Sequence, residues 1–192
     1  MKYLFSVCAA ALLALGMVSC NKGGGGNDAA MMRMDSIKKA NIAGYMAVSD
    51  MIMSGKMDGM NKYIADNYNE HQMMPGQKPG LAGLKEMMTM MKTAYPDMKW
   101  TVNDIIADSN TIWAHFTMTG TNSGPMMGMP ATNKKINVQG VDIIRLGADG
   151  KATDHWGYME EQKMMMQLGM MPPPMAGGDM KMGDIKPGDK KM

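Results

Sequence analysis

The sequence predicts an α+β domain, because helical periodicity occupies the first half of its core, two-residue alternation occupies the second, and turn signals separate the alternating runs. Residues Met31 to Ser54 place Ile42, Tyr45, Met46 and Met53 near a 3.6-residue period, and Gly55 supplies a stop. A shorter helix is expected from Asp58 to Asp66, with Met60, Tyr63 and Ile64 on one stripe. A third runs from Leu81 through Leu84, Met87, Met88 and Met91, and Pro96 ends it by removing a backbone donor. Strands are expected over Lys99 to Ala107, Thr111 to Thr121, Lys135 to Leu146 and Ala152 to Glu160, broken by Asp108-Ser109-Asn110 and Ala148-Asp149-Gly150. A Met-rich helical turn closes the domain at Gln167-Leu168-Gly169, where Gly169 can take the left-handed cap with Pro172 just beyond.

The ends have a different character. Residues 1–19 carry one Lys, a short apolar run and small residues leading to Cys20, the layout of a secretory signal too short to span a bilayer stably. Met17-Val18-Ser19-Cys20 resembles a bacterial lipobox, so Cys20 is expected to be lipidated and to anchor the chain at the membrane of the cell envelope; a plain signal cut near Ser19 is the alternative. Residues 20–30 read as a flexible Gly-rich tether, and residues 170–192 as a disordered tail rich in Met, Pro and Gly. Residues 31–169, about 140 in all, are enough for one domain with a core.

Composition excludes several functions. The chain holds 20 Lys and Arg against 18 Asp and Glu with no basic run, which argues against nucleic acid as a partner. Its two cysteines are Cys8, in the signal, and Cys20, at the anchor, so no thiol is left for a disulfide, a metal cage or nucleophilic catalysis.

The site candidates come from strand parity. In Asp154–Gly169 a strand runs into a helical turn, and strict alternation puts Glu160 on one face with Trp156 and Tyr158, leaving His155 facing away. On the second long strand Ile112, Ala114, Phe116 and Met118 form an apolar face, while Trp113, His115, Thr117 and Thr119 form a mixed one. A mixed face suits a ligand-pocket wall, and it equally suits a solvent-facing surface.

The succession AYPDMKWTVNDIIAD, GTNSGPMMGMPATNKK, GVDIIRLGADGKATDHW and DHWGYMEEQKMMMQLG resembles the SnoaL-like polyketide cyclases and ester cyclases of the nuclear transport factor 2-like superfamily. The resemblance covers roughly Asn61 to Gly169. It implies a curved antiparallel sheet wrapped around N-terminal helices to make a cone-shaped pocket, and a small, largely apolar carbonyl-containing ligand. It also implies ring closure by acid–base chemistry without cofactor, and it allows a homodimer through the open sheet surface. The family's acid/base Asp falls four residues after the strand Trp, which is Glu160 here. The extra methylene of Glu moves the carboxylate by about 1.5 Å, in a kind of catalysis where about 1 Å can cost a hundredfold. His71 in NYNEHQ matches a family Tyr-x-x-His pattern, and His115 stands where Arg is frequent, so both are expected proton-relay candidates beside Glu160. Trp113, Thr117, Trp156 and Tyr158 are the expected ligand-contacting wall. Asn122 replaces a frequent family His and cannot shuttle a proton. The loop GPMMGMPATNKK is expected to shape a turn and is placed to act as a lid.

The 31 methionines against two Phe admit two accounts. At Met88, Met91, Met118 and Met165 the thioether is adaptable core filler. Those in loops and tail, such as Met126, Met127, Met175, Met180 and Met182, could gather Cu(I) or consume oxidants.

Overall fold

The computed structural model describes residues 25–172. The expected signal segment, Cys20 and the tail beyond residue 172 lie outside the described residues. The elements are helix α1 (Gly25–Ser54), a 3₁₀ turn (Asp58–Lys62), strand β1 (Ile64–Glu70), helix α2 (Gly80–Ala94), strands β2 (Lys99–Ala107), β3 (Thr111–Thr121), β4 (Lys135–Leu146) and β5 (Ala152–Met159), and helix α3 (Glu161–Leu168). Among the described residues no helix is long and apolar enough to cross a membrane.

The α+β expectation holds, with three differences. Helix α1 starts at Gly25, inside the stretch expected to be a tether; Asp28 in its first turn and Ala29-Ala30 favour helix there. The second helix is only the 3₁₀ turn, and the chain then enters β1, a strand the periodicity did not reveal. Buried Ile64 and Tyr68 fit either a helical or a strand period, and pairing with β5 decides the matter. The sheet is therefore mixed instead of wholly antiparallel. Its order is β1-β5-β4-β3-β2, with β1 parallel to β5, and it is open, with β1 and β2 as edges.

Alternation along β3 and β4 sets the inner face. Ile112, Ala114, Phe116 and Met118 of β3 and Ile136, Val138, Asp142 and Leu146 of β4 are all buried. Phe116 stacks on Trp100 with ring centroids 3.8 Å apart, and Gly140 makes room for it, since a side chain there would run into the Phe116 ring and the Tyr158 carbonyl. Burial of such a ring contributes about 1.5–3 kcal/mol. Met91 and Met118 are buried in this core, as the filler account expects, whereas Met127 in the loop is exposed.

Two irregularities break the alternation. The register of β2 shifts between Val102 and Asp104, and that of β5 shifts between the pairs Leu146–Ala152 and Arg145–Asp154. An extra residue at such a bulge exchanges the two faces for everything downstream. On β5 this decides the site. Ala152 is buried on the inner face, so strict alternation from it would bring Trp156 inward; the shift at Thr153 turns His155 inward and Trp156 outward.

The loop 124–134 is held by Asn122, which is buried. Its amide donates to the Gly124 carbonyl at 3.0 Å, and its Oδ1 accepts from the Thr132 amide (2.8 Å) and hydroxyl (2.9 Å). Its work is structural. Helix α3 ends at Gly169 in the left-handed conformation, with φ +73, as expected.

Candidate active site

A cavity of about 250 Å³ lies between the inner face of the sheet and the helices. Val48 and Ile52 of α1, Leu84 and Met88 of α2, and Ile112 and Ile144 of the sheet give it apolar walls. The face that packs is therefore also the face that lines the cavity.

One side of the cavity is polar, built by residues that meet from four elements. Asp142 sits on β4 among Ile136, Val138, Ile144 and Leu146, the lone carboxylate in the inward register of that strand. His155 lies diagonally across from it on β5. Its Nε2 donates to Asp142 Oδ1 at 3.0 Å and its Nδ1 donates to Glu70 Oε2 of β1 at 2.7 Å. The hydroxyl of Tyr45, on α1, donates to Asp142 Oδ2 at 2.7 Å, and that of Tyr68 donates to Glu70 Oε2 at 2.9 Å. The Gln72 amide donates to the remaining oxygen, Glu70 Oε1, at 3.1 Å. The result is one hydrogen-bonded chain, Tyr45–Asp142–His155–Glu70–Tyr68.

The electrostatics follow from this geometry. Burial pushes the His155 ring toward neutrality, but its hydrogen bonds to Asp142 and Glu70, and then their negative charges, outweigh burial and raise its pKa to about 9. The ring is thus a cation at neutral pH. Burial raises Glu70, and His155 with the Gln72 amide and Tyr68 overcomes it to hold the carboxyl below its usual range. Both phenols are pushed far up, by burial first and by the adjacent carboxylates second, so Tyr45 and Tyr68 stay protonated.

Gly157 permits the central contact. A Cβ there would sit 2.9 Å from His155 Cε1, closer than real side chains approach, and 3.4 Å from Nε2. Gly157→Ala is therefore expected to push the imidazole off Asp142 and to bring its pKa down toward 6.5, read by NMR titration of the His155 ring; an unshifted titration would show that the ring has room to spare.

The expected site residues lie elsewhere, and the correction has one physical cause, the inverted face. Glu160 is the residue preceding α3, with its side chain 41% exposed; it accepts from Lys163 Nζ at 2.7 Å and from the Gln139 amide at 2.9 Å, and these contacts hold its carboxyl below the usual range. It does not line the cavity. Trp113, His115, Thr117, Trp156 and Tyr158 are all on the outer face. His115 is 3.6 Å from Asp104, and Thr117 shares hydrogen bonds with Asn103. Trp113 and Tyr158 are each about half exposed. His71 stacks on Trp156 at 4.0 Å with the rings 6° from parallel, and it bonds Asp154 at 3.0 Å. None of the seven touches the cavity. The loop 124–134 does not line it either, and Met127 of that loop borders a separate surface cleft with Met87 and Met90.

Sequence reasoning missed Tyr45, Tyr68, Glu70, Asp142, His155 and Gly157 as site residues. A signal existed for Asp142 alone: a single carboxylate at an apolar parity position of a regular strand, which costs several kcal/mol to bury unless partnered.

The family of SnoaL-like polyketide cyclases matches residues 44–168. The chain belongs to this family. A nogalonic acid methyl ester cyclase of Streptomyces nogalater is 23% identical over 119 residues, which span 60% of this chain and 87% of that one. Among solved structures, TsrD of Streptomyces laurentii is similar at a TM-score of 0.60 and 20% identity, covering 69% of this chain and 95% of its own. A SnoaL-like polyketide cyclase, so described provisionally, from Jannaschia sp. CCS1 is similar at a TM-score of 0.60 and 15% identity, covering 72% and 96%. The family match and these folds agree with the resemblance carried by the sequence motifs. A SnoaL-like cyclase has a pocket for a small molecule, and in this SnoaL-like chain the cavity lies beside Asp142 and His155.

Proposed function

We propose that this SnoaL-like protein carries out cyclase- or isomerase-type proton transfer on a small, largely apolar carbonyl compound, with Asp142 as the base. The observation that carries the reading is the carboxylate of Asp142, buried against the cavity and held from two sides by His155 and Tyr45. A carboxylate fixed in an apolar space can take a proton from the carbon next to a carbonyl. As the proton reaches Asp142, the C–H electron pair becomes the enolate. The Tyr45 hydroxyl, released from a carboxyl that is now neutral, can donate to the enolate oxygen. In ring closure the enolate carbon attacks a second carbonyl of the same molecule, and the proton passes to the alkoxide that forms. His155 and Glu70 are positioning residues that hold Asp142 in place.

The test needs no knowledge of the natural substrate. Deuterium exchange at the α-carbon of small cyclic monoketones, which are neutral and exchange slowly in buffer, should be accelerated by the protein when followed by NMR. A rate equal to buffer across such a panel would leave a binding protein without catalysis.

The lipobox-like residues Met17–Cys20 support placement in the cell envelope on a lipid anchor. Cys20→Ser should move the protein from the membrane fraction to the soluble one; continued membrane retention would end that reading. On the outer face the cross-strand row Ile106–Trp113–Ile143–Trp156 leaves Ile106 and Trp113 exposed, which supports pairing with a second copy. Light scattering should give a dimer that Trp113→Glu converts to monomer, and a monomeric wild type would refute the pairing.

A further inference from the structure

The polar side of the cavity has spent its protons. Both ring N–H groups of His155 and both phenol O–H groups are committed to Asp142 and Glu70. What Asp142, Tyr45 and Tyr68 still offer inward are lone pairs. The rest of the wall adds four polar side chains: the Asn41 amide is already engaged with the Asp108 and Ser109 carbonyls, and Ser49, Tyr63 and Trp100 carry donor hydrogens outside the cluster.

Charge points the same way. No lysine or arginine is among the residues lining the cavity. His155 is the cation of the cluster, and it stands between two carboxylates, so the cluster carries one net negative charge against apolar walls. A carboxylate ligand at the cluster would bring a second negative charge into a space where Coulomb repulsion is weakly screened, and at Asp142 and Tyr45 it would meet lone pairs in place of donors. Size sets the remaining limit: a cavity of about 250 Å³ corresponds to roughly eight waters of liquid volume, room for one or two rings.

We propose that this cavity selects small one- or two-ring molecules that present an uncharged or cationic hydrogen-bond donor to Asp142 and Tyr45, and that it excludes carboxylates and other anions. The inference rests on the reading of the cavity as the substrate site and narrows its substrate class. A hydroxyketone meets the requirement, because its hydroxyl supplies the donor while its other oxygen remains a carbonyl.

Three probes of one shape separate the cases: 2-naphthylmethanol, 2-naphthylmethylammonium and 2-naphthoate, titrated calorimetrically into the full-length protein at pH 7. The alcohol and the ammonium should each bind at least tenfold more tightly than the carboxylate. Asp142→Asn, which removes the net negative charge, should reduce that preference severalfold. Equal or tighter binding of naphthoate would overturn the selectivity and leave the cavity's role as a ligand site standing. An unchanged preference in Asp142→Asn would overturn it too, since the discrimination would then arise outside the cluster. Binding of none of the three would overturn both the selectivity and the assignment of the cavity as a small-molecule site.

Discussion

Asp142→Asn is expected to slow α-deuterium exchange in a bound cyclic ketone by roughly 10²–10⁴-fold, the usual worth of a positioned general base. Asn keeps the shape, but its one carbonyl oxygen can accept from Tyr45 or His155 and not from both, so stability falls too and exchange is compared at a temperature where the variant is shown to be folded. Glu160→Gln is the matched control. Glu160 is exposed, bonded to Lys163 and remote from the cavity wall, so exchange should stay within about twofold of wild type. The opposite pattern, with Glu160→Gln inactive and Asp142→Asn unaffected, would restore the residue that the family spacing favours and remove Asp142 from the chemistry.

His155→Ala is expected to destabilise the domain by about 3–5 kcal/mol, because it strands the buried Asp142 and the partly buried Glu70 without their shared counter-charge. Asp142 and Glu70 keep their phenol partners, but side-chain exposures of 11% and 9% leave little water to replace the imidazolium. Urea denaturation at pH 6 measures the effect; a loss under about 1 kcal/mol would show that water or movement of the chain compensates. The same group gives a pH signature. His155 titrates at about 9 in the fold against 6.5 as its ordinary value, so its contribution is complete below about pH 6.5 and is lost as pH rises through about 9. That loss amounts to on the order of 3 kcal/mol. Glu70 acts at the other end: its lowered pKa contributes stability above its ordinary value of 4.5, lost as pH falls through the lower folded value. Stability of the wild type should therefore be greatest between about pH 4.5 and 6.5, and the alkaline decline should be absent in His155→Ala.

Much of the fold was legible because the strands are long and regular. Parity along β3 and β4 identified Ile112, Ala114, Phe116 and Met118 as one face, and these residues are buried together. The site was not legible, for two physical reasons. A bulge at Thr153 cannot be seen in the alternation of Ala152-Thr153-Asp154-His155-Trp156, and one residue of slip exchanges His155 with Trp156. The aromatic rings around Glu160 also looked like pocket walls, when the cavity is walled by the aliphatic core itself and its polar side is assembled from distant positions. Tyr45 and Asp142 are 97 residues apart, and Glu70 and His155 are 85 apart. Glu70 was further hidden because the start of β1, as far as Asp66, fitted a helical period and no strand was expected beyond it.

The chain has three histidines, and they report on the two faces of the sheet. His155 is in the cavity, while His71 and His115 are on the outer face. Side-chain ¹H–¹⁵N NMR during titration with 2-naphthylmethanol therefore tests most directly where ligands bind. Binding beside Asp142 predicts that the His155 ring resonances shift and saturate while those of His71 and His115 stay fixed. Saturable shifts of His71 or His115 with His155 unmoved would place the site on the outer face and contradict the account.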